Sequence, residues 1–449
     1  MKFNMEQKIG DWKKHLSSRG SFLPEDLEEL ETHLREEINE LRRGSLDAEE
    51  AYFIAIKRLG KTDALSREFY KINAQSLWKH LFEPSLGRDK TAIRDTALII
   101  GLALLAGLLG KIPHLFGYPV DGEAAGPVYL RNLGLFFIPV IGGWLAWQRK
   151  NTQIHLFIFA LFCAAGFLAV NFYPFAGERH TEILAGIHLP ILLWLAMERL
   201  YGPGQEIVSG RMNYISFSGE FFIYSVLCYL GGGVFIAFTG ALFNALNLDA
   251  EKFISEYVAV FGGLGVPVAA VYLVEKKKAL IENMAPVLAK IFTPLFLILI
   301  AGFLVALLSR QTRLSTDREI LILFDLLLIL VLGLVLYSLS ARPEAEKPGF
   351  SDYVIFSLIV LALAADLFAM GAILTRLSRF GVTPNKVAAL GENVLLFVNL
   401  AGLAFTFGGV LFAGKAIRRL ETWQSRCYVG FGVWMGVVVF IFPLVFRFA

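Results

Sequence analysis

Eleven stretches of about twenty mostly apolar residues, separated by short polar breaks, constrain this chain more than any other feature. They fall at 95–116, 130–148, 154–174, 182–200, 217–244, 253–275, 286–309, 319–340, 352–376, 387–413 and 427–446. A run of that length satisfies its own backbone polar groups inside a bilayer only as a helix, so the expected class is all-α and polytopic. Composition agrees, since only 18% of the 449 residues are charged and 56% are hydrophobic, whereas soluble domains carry about 25% charged residues. An ordinary soluble enzyme, a disordered chain and a secreted disulfide scaffold are excluded. Residues 217–244 read either as one long tilted span or as a broken one.

Charge divides the chain unevenly. Residues 1–90 hold 33 charged side chains and the remaining 359 residues hold 48. The expected domains are a water-soluble helical module over 1–75, an amphipathic linker over 76–93 and a transmembrane domain over 94–449. Trp78 and Phe82 beside Lys79 and Lys90 suit that linker to a headgroup surface. The formal net charge of +3 is too small to imply a nucleic-acid partner. Cys163, Cys228 and Cys427 are widely spaced, with no CxxC or Cys/His cluster, so neither a metal nor a cofactor is expected. No apolar leader opens MKFNMEQKIGDWKK, which places the module in the cytoplasm by expectation.

Within the module, one helix is expected over about 4–17 and a second from Pro24 to Arg43. Proline is tolerated in a first turn, where its missing N–H is no loss. Glu25, Asp26, Glu28 and Glu29 there, and Arg42 and Arg43 at the far end, complement the helix dipole. Leu27, Leu30, Leu34, Ile38 and Leu41 form one apolar stripe. A third helix is expected from Asp47 to Leu59 and a fourth from Asp63 to about Asn73. Helices this short need one another, so a small bundle is expected.

Glu29-Leu30, His33-Leu34, Glu37, Gly44, Glu49-Glu50-Ala51, Ala55, Arg58-Leu59-Gly60 and Leu65 with Phe69 carry a resemblance. The stretch resembles the helical module called HAAS, or permease prefix domain. That resemblance implies a module without catalytic residues that precedes bacterial membrane proteins, often permeases. In the membrane half, GERHTEILAGIHLPI, GEFFIYSVLCYLGGGVFIAFTGALF, PVLAKIFTPLFLILI, TDREILILFDLLL and RLSRFGVTPNKVAALGENVLLFVNLAG are similar to a bacterial membrane family, domain of unknown function 4153. This second resemblance implies a grouping and transfers no functional residue.

Loop charge addresses orientation. With a cytoplasmic N-terminus, the inner connections carry 14 basic residues and the outer ones 9, the sign expected of a bacterial cytoplasmic-membrane protein. Six of those nine lie in two outer segments: Arg310, Arg313 and Arg318 in one, Arg376, Arg379 and Lys386 in the other. Guanidinium forks suit carboxylate or phosphate, so one reading gathers them at one mouth around an anionic solute or lipid headgroup. The other pairs them with Asp317, Glu319 and lipid phosphates. Gly381, Pro384 and Asn385 mark a tight turn, and Thr383 or Asn385 is a candidate cap for the following helix.

Ionisable groups inside apolar spans are costly and so informative. Asp325 sits in LILFDLLLIL and Asp366 in ALAADLFAMG, while Glu392 and Asn393 open the next span and Asn399 follows. The functional reading is a polar cavity between the last four spans that relays a proton or cation. The structural reading is a set of buried carboxyls bonded to neighbouring helices. His180 and His188 stand two turns apart near Glu182 without a third metal ligand. Gly231-Gly232-Gly233 and Gly432 with Gly436 read as small residues for close helix packing.

Two functions follow as expectations. The first is a permease-like carrier of a small anionic or amphipathic solute; the second is a membrane sensor whose residues 1–75 bind a cytoplasmic protein. A lipid-acting enzyme ranks third, with Asp317 and Glu319 its only nominees, so no enzymatic activity is expected.

Overall fold

The computed structural model describes residues 5–6, 8–10, 12, 24–43, 47–59, 90–120, 122, 125–246, 248, 251–276, 284–310, 318–340, 342 and 348–448. The chain divides into two compact units, Met1–Arg94 and Asp95–Ala449. Among the described residues every regular element is helical.

In the first unit, helix α1 runs over Pro24–Arg43 and α2 over Ala48–Leu59. Asp47 starts α2: its Oδ1 accepts from the N–H groups of Glu49 at 2.9 Å and Glu50 at 2.7 Å, and the Glu50 carboxylate accepts from the Asp47 N–H. Such reciprocal capping satisfies donors that the first turn leaves open. Leu34 and Ile38 of the apolar stripe are buried against Ala51, Tyr52, Ala55 and Ile9. The Arg35 guanidinium forks onto Glu6 at 2.8 and 2.7 Å and, by those bonds, holds the Glu6 carboxyl below its usual range. The helix expected over Asp63–Asn73 and the linker up to residue 89 lie outside the described residues. The helix that leads into the first membrane span starts at Lys90, within the stretch assigned to that linker.

The second unit holds eleven helices long and apolar enough to cross a membrane. They are α3 Lys90–Leu115, α4 Ala125–Gln148, α5 Gln153–Phe172, α6 His180–Ala196, α7 Ile207–Ala245, α8 Ala259–Lys276, α9 Met284–Arg310, α10 Arg318–Ser340, α11 Phe350–Phe380, α12 Pro384–Ala413 and α13 Arg418–Gly436. A π turn at Ile254–Val258 leads into α8, and another at Val437–Ile441 carries α13 on to Phe442–Val445. Helix α7 is one unbroken element of 39 residues that begins ten residues before the expected start of its span.

Side-chain bonds between helix ends fix the alternation of direction. Arg149 after α4 meets Glu275 at the end of α8 at 2.8 Å, and Arg211 at the start of α7 reaches Ser425 at the start of α13. Arg131 and Glu182, at the starts of α4 and α6, pair at 2.9 Å on the opposite side. We call the side where α3 begins the near side and the other the far side.

The membrane unit packs around two separate cores. Leu145, Leu189, Leu193, Tyr214, Phe217 and Val271 centre the first, built from α3 to α8. Leu328, Leu358, Ala362, Leu400, Leu403 and Phe407 centre the second, built from α9 to α12. Helix α13 serves both, with Leu420 in the second core and Met435 and Val439 in the first. Its approach to α12 depends on two glycines: a Cβ at Gly391 would meet the Trp434 indole and one at Gly402 the Trp423 indole. Small residues permit such contact where no hydrophobic force drives helices together in lipid. The other glycines expected to do this do not: Gly231, Gly232, Gly233, Gly432 and Gly436 have open space where a Cβ would stand.

Candidate functional site

The first bundle meets the second where α7 lies against α10, and again where α6 and α13 lie against α12. Leu184, Ala388, Val438 and Phe442 seal this joint with a small apolar cluster of their own. One turn deeper, at Leu184 plus four and Ala388 plus four, the contact becomes polar. His188 Nε2 of α6 lies 2.7 Å from Glu392 Oε1 of α12. The other ring nitrogen, Nδ1, lies 2.7 Å from the Leu184 carbonyl. A carbonyl only accepts, so Nδ1 carries a hydrogen. The short Nε2 contact then needs a second hydrogen, on the ring beside a carboxylate or on the carboxyl beside a neutral ring. In both forms one proton is shared between the two bundles.

Asn393, next to Glu392, continues inward. Its amide N–H₂ donates to Asp325 Oδ1 of α10 at 3.1 Å and to the Ala389 carbonyl at 2.9 Å. Asp366 of α11 is 0% exposed, and neither of its carboxyl oxygens has a hydrogen-bond partner among the described residues. It lies within electrostatic reach of Asp325, which is itself within reach of Glu392. The structure thus brings Asp325, Asp366, Glu392 and Asn393 together, as the sequence suggests, and adds His188. At 1.5 Å per residue, His188, Asp325 and Glu392 sit about 10–12 Å from the far-side ends of their own helices, and Asp366 about 20 Å from the end of α11, which includes its far-side extension. A polar ladder therefore descends from the far side toward the middle of the unit.

The joint has a second polar stretch. Gln424 of α13 donates to Asn399 Oδ1 at 2.9 Å, and the Trp423 indole N–H donates to the Asn399 carbonyl at 3.2 Å. Nearer the near side, Arg211 Nη1 donates to the Ser425 carbonyl at 2.7 Å and to Ser425 Oγ at 3.0 Å. Arg418 donates to Glu206 at 2.6 Å and to Ser209 Oγ at 3.1 Å. Hydrogen bonds from the Ser209 N–H, and then from the Arg418 guanidinium, hold the Glu206 carboxyl down to about 2.

The arginine cluster comes out differently. Arg376 and Arg379 are not loop residues, because α11 runs on to Phe380 and stops only at Gly381, whose φ of +72° glycine adopts readily. Hydrocarbon ends before the helix does, so the charges sit on a helical extension. Arg376 is half-buried and Arg379 exposed, with no partner among the described residues. Lys386 is committed elsewhere: its Nζ donates to the Phe380 and Gly381 carbonyls at 3.0 and 2.8 Å, closing the end of α11. Arg310 ends α9 and Arg318 opens α10, whereas Arg313 lies outside the described residues. Thr383 occupies the cap position of α12 without a side-chain hydrogen bond, and Asn385 is half-buried in its first turn. Glu392 and Asn393 stand two turns inside α12 rather than at its opening.

His180 pairs with Glu178 at 2.7 Å, and Glu182 with Arg131. Among the described residues no group of three His, Cys, Asp or Glu is placed to hold a metal. A groove of about 560 Å³ between α9 and α11 is lined by Leu297, Ala301, Phe356 and Val360 with Ser357 its polar member. The Ser357 hydroxyl already donates to the Tyr353 carbonyl, so that groove offers lipid an apolar wall and a solute nothing to orient it.

Fold and site together define an all-α, polytopic integral membrane protein with a buried ionisable joint. No family model, no curated protein and no solved structure matches the chain.

Proposed function

We propose that the protein is a permease-like carrier that moves a small anionic or amphipathic solute across the bacterial cytoplasmic membrane, with its N-terminal module in the cytoplasm. The His188–Glu392 contact carries this reading. Each bundle has its own apolar core, so each can keep its packing while the joint rearranges, as rigid-body movement requires. Buried ionisable groups inside membrane helices are expensive and mark transport paths more readily than structural seams. Arg376 and Arg379, on the far-side extension of α11, offer the positive charge that would gather an anion. The permease-prefix resemblance of residues 29–69 and the excess of basic residues on the near side support the same assignment and orientation.

The test is flux. Proteoliposomes containing the full chain, assayed with a panel of labelled carboxylates, inorganic phosphate and short-chain fatty acids, should show uptake of at least one that Glu392→Ala abolishes. Well-folded protein that moves none of them would favour the sensor reading, in which residues 1–75 bind a cytoplasmic protein.

A further inference from the structure

Counting donors and acceptors around Asp366 shows what the buried cluster lacks. Asp366 contributes two oxygens without partners, and Asn393, also 0% exposed, contributes an Oδ1 without one. The donors facing them are the two hydrogens of the Asn393 amide, both already used on Asp325 Oδ1 and the Ala389 carbonyl. Asp366 and Asn393 thus keep three buried oxygens that meet no donor among the described residues, and unsatisfied buried polar atoms are costly enough that native proteins rarely tolerate them.

The surroundings do not supply the missing charge. Helix α11 packs against α9, α10 and α12. Helix α9 carries charge only at Lys290 and Arg310, toward its ends, and α10 only at Arg318, Glu319 and Asp325. From α12 the ionisable groups are Glu392, already bound to His188, and Lys386, which is held at the end of α11. On α11 itself, Asp352 pairs with Arg342 at 2.8 Å, and Arg376 and Arg379 stand more than two turns away. No grouping of three acids suits a divalent ion among the described residues. All the free ligands are oxygens, which hard cations prefer.

We propose that Asp366, Asp325 and Asn393 form a binding site for one monovalent cation, a proton or sodium, and that its occupancy is the coupling step of the carrier. The coupling role rests on the carrier reading; the binding site does not. An incoming cation supplies the donor or Lewis acid that the oxygens lack, and Asn393 connects the site to Glu392 and so to the joint. Loading the site and making or breaking the His188–Glu392 contact are then linked through one helical turn of α12.

The full chain in lipid nanodiscs is titrated with radiolabelled sodium and, separately, examined by infrared spectroscopy across pH. The expected result takes one of two forms. Sodium binds saturably and Asp366→Asn weakens it by about tenfold or more, the scale of a lost charged hydrogen bond. Alternatively sodium does not bind, and the wild type shows a carboxylic-acid band that disappears reversibly as pH rises and is missing in Asp366→Asn. Absence of saturable sodium binding, together with a band pattern that is the same in both proteins at every pH, overturns the proposal. If Asp366→Asn does not elute as a monodisperse protein, Asn393→Leu takes its place, and it must shift the sodium affinity or the band's pH midpoint. Both measurements are made at equilibrium. Binding without solute flux removes the carrier and keeps the site, whereas flux without binding removes the site alone.

Discussion

The near-side and far-side ends of the joint are built from similar residue types yet differ in how their charged groups are partnered. At the near side, α13 is fastened to α7 through Arg211 and Ser425 and through Arg418 and Glu206, to α6 through the Tyr428 hydroxyl on the Leu195 carbonyl, and to α12 through Gln424 and Asn399. At the far side, an imidazole and a carboxyl share a proton, and behind them Asp366 meets no donor among the described residues. Completed networks rigidify, while incomplete ones respond to whatever completes them. On the carrier reading proposed above, the comparison makes the near side the fulcrum and the far side the end that opens.

The largest effect is expected at the near side. Arg149→Ala leaves Glu275, 5% exposed, without its cation, and breaking such a pair costs about 3–5 kcal/mol. Thermal unfolding in detergent should fall sharply, and Arg149→Lys should recover part of the loss; a melt within a degree of wild type would show that this pair does not hold α4 to α8. Next comes the glycine seam. Gly402→Leu drives a side chain into the Trp423 indole, and overpacking costs about 1–3 kcal/mol, so the melting point should drop while the first bundle keeps its near-ultraviolet signal.

At the far side a double-mutant cycle on His188→Ala and Glu392→Ala should give a coupling of about 1–3 kcal/mol. Additive losses would mean that the contact does not hold the joint. Asp366→Leu should behave in the opposite sense to all of these, with unfolding stability unchanged or raised, because it removes an unsatisfied buried group. A strongly destabilised Asp366→Leu would show the far side to be structural rather than responsive.

The smallest effect is pH-dependent and lies at the exposed Glu206. Its carboxyl is held from an ordinary 4.5 down to about 2 in the folded chain, so its contribution is fully present above pH 4.5 and is lost as pH falls toward 2. The difference in melting temperature between wild type and Glu206→Gln should therefore be positive at pH 6 and shrink steadily on acidification. A constant difference would remove the hydrogen bonds of Ser209 and Arg418 as its cause.

What could be read from the residues alone follows from which forces are local. The eleven spans were legible because a bilayer imposes one length on every helix that crosses it. The start of α2 was legible because Asp47 and Glu50 act across three residues. Asp325, Asp366, Glu392 and Asn393 stood out because charge in hydrocarbon is costly wherever it points. The partner of His188 was not legible: Glu392 is 204 residues away, and periodicity gives no rotation of one distant helix against another. Arg376 and Arg379 were misassigned to a loop because their charge was taken to end a helix that only Gly381 ends. Gly231 to Gly233 were misjudged because a small side chain permits close approach without supplying the neighbour. Gly391 and Gly402 have that neighbour in two tryptophans on α13.

The length of α7 has a consequence for the near-side fastenings. Its last 25 residues, Phe221–Ala245, carry no charge and already span about 37 Å, more than the hydrocarbon thickness. The 14 residues before them, with Arg211 and Glu220, must then stand above the waterline among headgroups and ions. The near-side bond between Arg418 and Glu206, both exposed, is therefore bathed in electrolyte that screens it over about 8–10 Å, whereas the His188–Glu392 contact lies in a medium with no mobile ions. Raising ionic strength should loosen the fulcrum and leave the opening end untouched, so the same molecule would answer salt and solute at opposite faces of the membrane.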